Sequence, residues 1–194
     1  MKLFFDTETS GMANFNLPSS HPSQPRLVQL AAILTNDVGE EISTINLLVK
    51  PEGFCISEGA AKIHGISTDH ATQFGIPARA AIGIFVHMAR TAETLHAYNI
   101  KFDTIVMEGE ILRIDKMPNP FSDKPRICEM EAMTQICKIP GTRGGYKWPS
   151  LTESHIQATG KEFANAHDAL GDVRAMIAVH IWRANQKNTE TNLL

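Results

Sequence analysis

The chain is 194 residues long, 43% hydrophobic and 20% charged, enough for one sizeable core without a second domain. Its net charge of −3 excludes a wide basic face, and no apolar run approaches the roughly 20 residues that cross a bilayer, so no membrane partner is expected. The odd set of Cys55, Cys128 and Cys137 suits a reducing interior, and Met1-Lys2-Leu3-Phe4-Phe5 reaches Asp6 too soon for a secretory signal, so the expected location is cytoplasmic.

The first apolar run, Lys2 to Glu8, is closed by Thr9-Ser10-Gly11 and reads as a short buried strand. Side chains alternate across a strand, so Asp6 and Glu8 share one side, close enough to hold one cation and mutually repelling without it. A solvated strand end is the plainer alternative. Residues 14–25 form a Pro/Ser-rich connection longer than a usual hairpin link. Arg26 to Thr35 and Glu41 to Lys50 read as a hairpin, Ser57 to Ile63 as a short helix stopped by Gly65, and Pro77 opens a helix to about Thr91 with Ala81, Ile84, Phe85 and Met88 inward.

Thr94 to Tyr98 reads as a strand, with a turn at Asn99 and a helix whose first turn holds Asp103, where an acid also complements the exposed N–H groups of any helix. Arg126 to Met130 is expected as a short strand. Residues 140–149 combine Arg143, Lys147, Tyr146 and Trp148 with three glycines. That composition suits a disordered connector, or a flap whose cations hold phosphates while its aromatics stack on bases. Ser150-Leu151-Thr152-Glu153 has capping-box form, and Gly160 stops the helix it opens.

The last helix opens within Asn165 to Arg174 and runs to about Gln186, burying Ala169, Val173, Met176, Ile177 and Ile181. Asp172 sits at the edge of that stripe, where a carboxylate reaches a cleft beside the core. His167 lies just before or in the first turn, where its imidazole could swing over the same cleft or merely cap the helix. His21, His70, His87, His155 and His180 show no acidic partner pattern and read as surface or helix-packing residues. Lys187 to Leu194 is a polar, fraying tail, leaving residues 1–186 as a single domain. The order of elements suits an α/β class, a mixed sheet flanked by helices.

FDTETSG ending at Gly11, NIKFD ending at Asp103 and HDALGD ending at Asp172 occur in that order, with a weaker IHGI at Ile63 to Ile66. Together they resemble the DEDDh exonucleases, the DnaQ-like group of the ribonuclease H-like superfamily, over about residues 1–183. The resemblance implies a five-stranded mixed sheet with one antiparallel strand, the second. It implies a metal-dependent 3′→5′ exonuclease, DNA favoured, that releases nucleoside 5′-monophosphates from a single-stranded or frayed nucleic-acid 3′ end. A DNA polymerase is a candidate partner.

Phosphodiester cleavage crowds negative oxygens around one centre, and two cations about 3.5–4 Å apart neutralise the attacking and leaving oxygens. Oxygen-only ligands select hard ions, so two Mg²⁺ are expected, with Mn²⁺ able to substitute. Zinc is a poorer fit, since no C-x-x-C or H-E-x-x-H occurs. Two divalent ions would carry the chain from −3 to +1, which suits local contacts at a strand end.

By resemblance, Asp6 bridges both metals, Glu8 and Asp172 complete the nucleophile-side site, Asp103 holds the second metal and His167 is the general base. Thr7, Thr9, Gly11 and Met12 would lie under the terminal nucleotide, His64 would line its pocket and Asn99 would approach the scissile phosphate. Tyr98 and Phe102 could stack on a base or belong to the core. The alternatives are an RNA-trimming exoribonuclease of the same family, or an accessory module that binds nucleic acid or a polymerase without cutting. Five chemically committed groups argue against the latter.

Overall fold

A computed structural model describes residues 1–164 and 168–191. Five strands form one sheet in the order β3-β2-β1-β4-β5: β1 Lys2–Thr9, β2 Leu27–Thr35, β3 Glu41–Leu48, β4 Thr94–Ala97 and β5 Arg126–Cys128. β2 runs antiparallel to both neighbours, while β1, β4 and β5 are mutually parallel. This is the mixed ribonuclease H-like sheet with one antiparallel strand. The central strand β1 is covered on both faces, which explains its unbroken apolar start.

Helices α1 Glu58–His64, α2 Thr68–Phe74, α3 Ala78–Thr91, α4 Ile100–Leu112, α5 Glu129–Cys137, α6 Leu151–Thr159 and α7 Ala169–Thr191 complete the described fold. Leu3 and Phe5 of β1 pack with α3 and α4, whereas Phe4 points the other way into Ala169, Val173, Met176 and Ile177 of α7. Strand alternation therefore assigns each face of β1 to a different helical layer. The larger core holds large side chains that are essentially dry, among them Phe85, Ile82 and Met107.

Several local expectations change. Ile84 is 40% exposed rather than inward; α3 buries Ala78, Ala81, Ile82, Phe85 and Ala89, and position 84 lies about 200° round the helix from Ile82. The strand expected to reach Met130 ends at Cys128, because the Met130 amide donates to the Tyr98 carbonyl and α5 begins. Neither α2 nor α5 was anticipated. For α2 a signal existed: Ser67 accepts from the His70 amide at 3.1 Å as an N-cap. α7 continues past Gln186 to Thr191.

Both composition-biased loops carry internal hydrogen bonds. Gln24 knits the 14–25 connection, donating to the carbonyls of Asn14 and Leu17 at 2.8 and 3.0 Å. Gly109 of α4 lets that loop pass close by; a Cβ there would stand 2.8 Å from the Ser19 carbonyl oxygen. Glu110, 2% exposed, receives the Arg26 guanidinium at 2.6 and 3.2 Å and the Leu27 amide at 3.2 Å, tying α4 to β2.

Candidate active site

The carboxyl ends of β1 and β4 open onto a cleft lined by Asp6, Thr7, Glu8, Tyr98, Asn99, Phe102, Asp103 and Asp172. Such ends are where open α/β sheets leave room for ligands. Asp6 and Glu8 project from the α7 face of β1, and Asp172 comes up from the first turn of α7. One ligand oxygen from each of these three lies within 4.8 Å of the others. Asp103 reaches the same cleft from the opposite layer, on the first turn of α4, and stands outside that trio.

Two hydrogen bonds hold Asp103 in place. Thr7 points to the α4 face, and its hydroxyl and amide both donate to Asp103 Oδ1, at 2.7 and 3.1 Å. The Thr7 amide is thus spent inside the protein, while Thr7 still lines both the cleft and the hollow beside it. Asp103 is 3% exposed; burial pushes its carboxyl up to about 7, against the pull of the Thr7 donors.

Asp6 and Glu8 lack such relief. Burial raises Asp6 well above the ordinary carboxylate range, and Asp103, Asp172, Glu8 and Asp168 push it the same way. Burial likewise raises Glu8 to about 8, helped by Asp172, Asp103 and Asp168. Among the described residues, every neighbour that bears on these two disfavours the charged form. The donor set is all oxygen, so it fits a hard divalent cation held by Asp6, Glu8 and Asp172.

Sequence reading missed two residues that support this cluster. Asp168 caps α7: its carbonyl accepts from Asp172 at 3.0 Å and its Oδ2 from the Gly171 amide at 3.2 Å. Gln29 of β2 donates to Asp168 Oδ1 at 3.1 Å, so the sheet sets where α7, and hence Asp172, begins. An aspartate just ahead of an amphipathic run was the available signal for the cap. The expected general base, His167, lies outside the described residues.

Beside the acids, Thr7, Glu8, Thr9, Gly11, Met12, His64 and Phe102 line a mostly apolar hollow of about 370 Å³ with Ile63 and Ala60 of α1. Met12 is 81% exposed and Ile63 58% exposed, so this hollow presents apolar surface to incoming ligand. His64 ends α1, where Gly65 adopts φ 76°. Its Nδ1 accepts from the Ile66 amide at 3.1 Å, leaving the protonated Nε2 to donate to the Thr9 carbonyl at 3.2 Å. Burial lowers its pKa, opposed by the Thr9 contact, so the ring is a neutral wall of the hollow.

A second cluster was not foreseen. His180, expected to lack an acidic partner, donates from Nδ1 to Glu129 Oε1 at 2.8 Å, as does His96 Nδ1 at 2.8 Å, while Arg183 donates to Oε2 at 2.7 Å. Their ligand atoms also lie within 4.8 Å. Here, however, burial is overcome by the two imidazoles and the Arg183 cation, which hold the Glu129 carboxyl well below its usual range. With its countercharge inside the protein, this cluster ties β4, α5 and α7 together.

The chain matches a family model described as Exonuclease over residues 3–180. Exodeoxyribonuclease I of Escherichia coli is 30% identical over 199 residues, spanning 91% of this chain and 38% of its own length. The E. coli Exonuclease I complex with a dT13 oligonucleotide shares the fold at a TM-score of 0.78 and 24% identity, covering 99% of this chain and 42% of that one. The zinc-ion-bound E. coli ExoI–ssDNA complex gives 0.74 at 26% identity, covering 96% and 41%. This chain spans about two fifths of the length of these relatives. No described helix is long and apolar enough to cross a membrane. With the family match reaching from β1 into α7 over this sheet order, the chain belongs to the exonuclease family, the DnaQ-like 3′→5′ exonucleases of the ribonuclease H-like superfamily.

Proposed function

We propose that this chain is a single-domain, divalent-metal-dependent 3′→5′ exonuclease that shortens single-stranded DNA and releases nucleoside 5′-monophosphates. The observation that carries the reading is the approach of Asp6, Glu8 and Asp172 oxygens to within 4.8 Å in a cleft where burial and neighbouring acids raise the Asp6 and Glu8 carboxyls. Strand preference draws support from the 30% identical exodeoxyribonuclease and from the relative crystallised with single-stranded DNA.

Asp6, Glu8 and Asp172 would hold one Mg²⁺ and Asp103 would help hold a second, with Mn²⁺ able to replace either. Bound there, the ions would supply the positive charge that phosphodiester cleavage demands and acidify the attacking water. Thr7 keeps the Asp103 carboxylate facing the cleft. Asn99, at the N-terminus of α4, lines the cleft where the scissile phosphate would lie. His167, adjacent in sequence to the α7 cap Asp168, would take the proton from the attacking water as general base. Thr9, Gly11, Met12 and neutral His64 would receive the terminal nucleoside in the apolar hollow, without repelling or neutralising its phosphate.

End-labelled DNA and RNA strands of matched sequence, incubated with Mg²⁺, Mn²⁺, Zn²⁺ or chelator, test the proposal. Stepwise shortening of 5′-labelled DNA with Mg²⁺ or Mn²⁺, abolished by chelator, is the expected result. Shortening that survives chelation, or internal cuts in place of a ladder, would overturn it.

A further inference from the structure

The segment between α5 and α6 is a built hairpin rather than a slack connector. The Gly141 amide donates to the Gly145 carbonyl at 3.0 Å and the Lys147 amide to the Ile139 carbonyl at 2.9 Å, with Pro140 and Tyr146 in an antiparallel bridge. Gly144 and Gly145 make the turn at φ +84° and +70°, a conformation other residues reach at a cost. Its base is riveted to the cleft: the Tyr98 hydroxyl donates to the Pro149 carbonyl at 2.8 Å, and Tyr98 itself lines the cleft with Asp6, Asn99 and Asp103.

On this anchored arm two large aromatics face water, Trp148 at 63% and Tyr146 at 45% exposure. They stand two positions apart, the spacing that sends alternate side chains to one side of an extended segment. Lys147 between them pairs with Glu153 at 2.7 Å. Arg143, exposed at the turn, has no ion-pair partner among the described residues. Exposed indole and phenol faces, one uncommitted guanidinium and a rivet to the reacting cleft match the chemistry of an unpaired strand, whose bases offer π-faces and whose backbone offers phosphates.

We infer that the 140–149 hairpin is a stacking platform for the unpaired strand upstream of its 3′ end, with Trp148 and Tyr146 under bases and Arg143 on the backbone. This rests on the exonuclease reading and extends it from the terminal nucleotide to the strand behind. A blunt duplex hides its base faces and should gain nothing from the platform.

Trp148→Ala, Trp148→Phe, Tyr146→Ala and Arg143→Ala should be compared with the unaltered protein on p-nitrophenyl thymidine 5′-monophosphate and on an unpaired strand of about twelve nucleotides. Trp148→Ala should weaken binding of the long strand about tenfold and Trp148→Phe much less, with hydrolysis of the small ester unchanged in both. Arg143→Ala should flatten the salt dependence of binding. Affinity is also read by anisotropy in chelator, which needs no cleavage. Loss of affinity in Trp148→Ala supports the platform even if the unaltered protein cuts nothing, an outcome that would overturn only the exonuclease reading. Unchanged affinity for the unpaired strand in Trp148→Ala and Tyr146→Ala, or equal losses on blunt duplex, would overturn the platform.

Discussion

The hydroxyl of Thr7 on the central strand donates to Asp103 Oδ1 at 2.7 Å across the boundary between sheet and α4, and this bond decides where the fourth acid stands. Thr7→Val keeps the shape and removes the hydroxyl donor, leaving a buried carboxylate with backbone donors alone. A hydrogen bond to a charged group contributes about 1.5–3 kcal/mol, so kcat should fall about tenfold to a hundredfold. The Asp103 carboxyl, already raised to about 7, should move higher and shift the acid limb of the pH–rate profile upward. Thr7→Ser should restore both; a Thr7→Val profile superimposable on the original would refute the role.

Metal-free stability should depend on pH with a sign set by Glu8. Its carboxyl is raised from 4.5 to about 8 in the folded chain, so the folded state binds the proton more tightly than the unfolded state. That contribution is fully present below the unfolded value and is lost as pH rises through about 8. Thermal melts in chelator should therefore drop in midpoint between about pH 5 and 8, Glu8→Gln should flatten the slope, and Mg²⁺ should reverse the loss while releasing protons.

Asp168 is expected to matter although it is not in the acid trio. Asp168→Ala removes the α7 cap, costing about 1 kcal/mol and lowering the melting midpoint by about 2–4 °C. Because the same residue is held by Gln29, Asp172 should lose its fixed position, and metal titration should show weaker binding. Gln29→Ala should reproduce the affinity loss with less effect on the melt.

Glu129 should separate stability from chemistry. Glu129→Ala strands Arg183 and two imidazoles in a buried site, and breaking such a cluster costs about 3–5 kcal/mol. Denaturant unfolding should show that loss, while calorimetric Mg²⁺ affinity of the protein still folded stays within about twofold. A large fall in metal affinity would instead mean that the second cluster acts on the first.

Asp6 and His167 carry opposite expectations. Asp6→Asn should abolish metal binding and activity together, whereas His167→Ala should lower kcat by about 10²–10⁴ with metal affinity retained. Equal metal affinity in the two variants would remove the assignment of His167 as base.

Alternation along β1 put Asp6 and Glu8 on one side, and the capping box and Gly160 marked both ends of α6, because such patterns depend only on neighbours a few residues away. The three motif stretches were legible for the same reason, as was the buried stripe of α7. Distance and partner choice were not. Thr7 meets Asp103 across 96 residues, and Glu129 gathers His96 and His180 from 33 and 51 positions away. No local pattern encodes which carboxylates are raised by burial and neighbouring acids beside the cleft and which is held down by an arginine. That contrast arises from burial and through-space electrostatics, which exist only once the sheet has brought its two helical layers around β1.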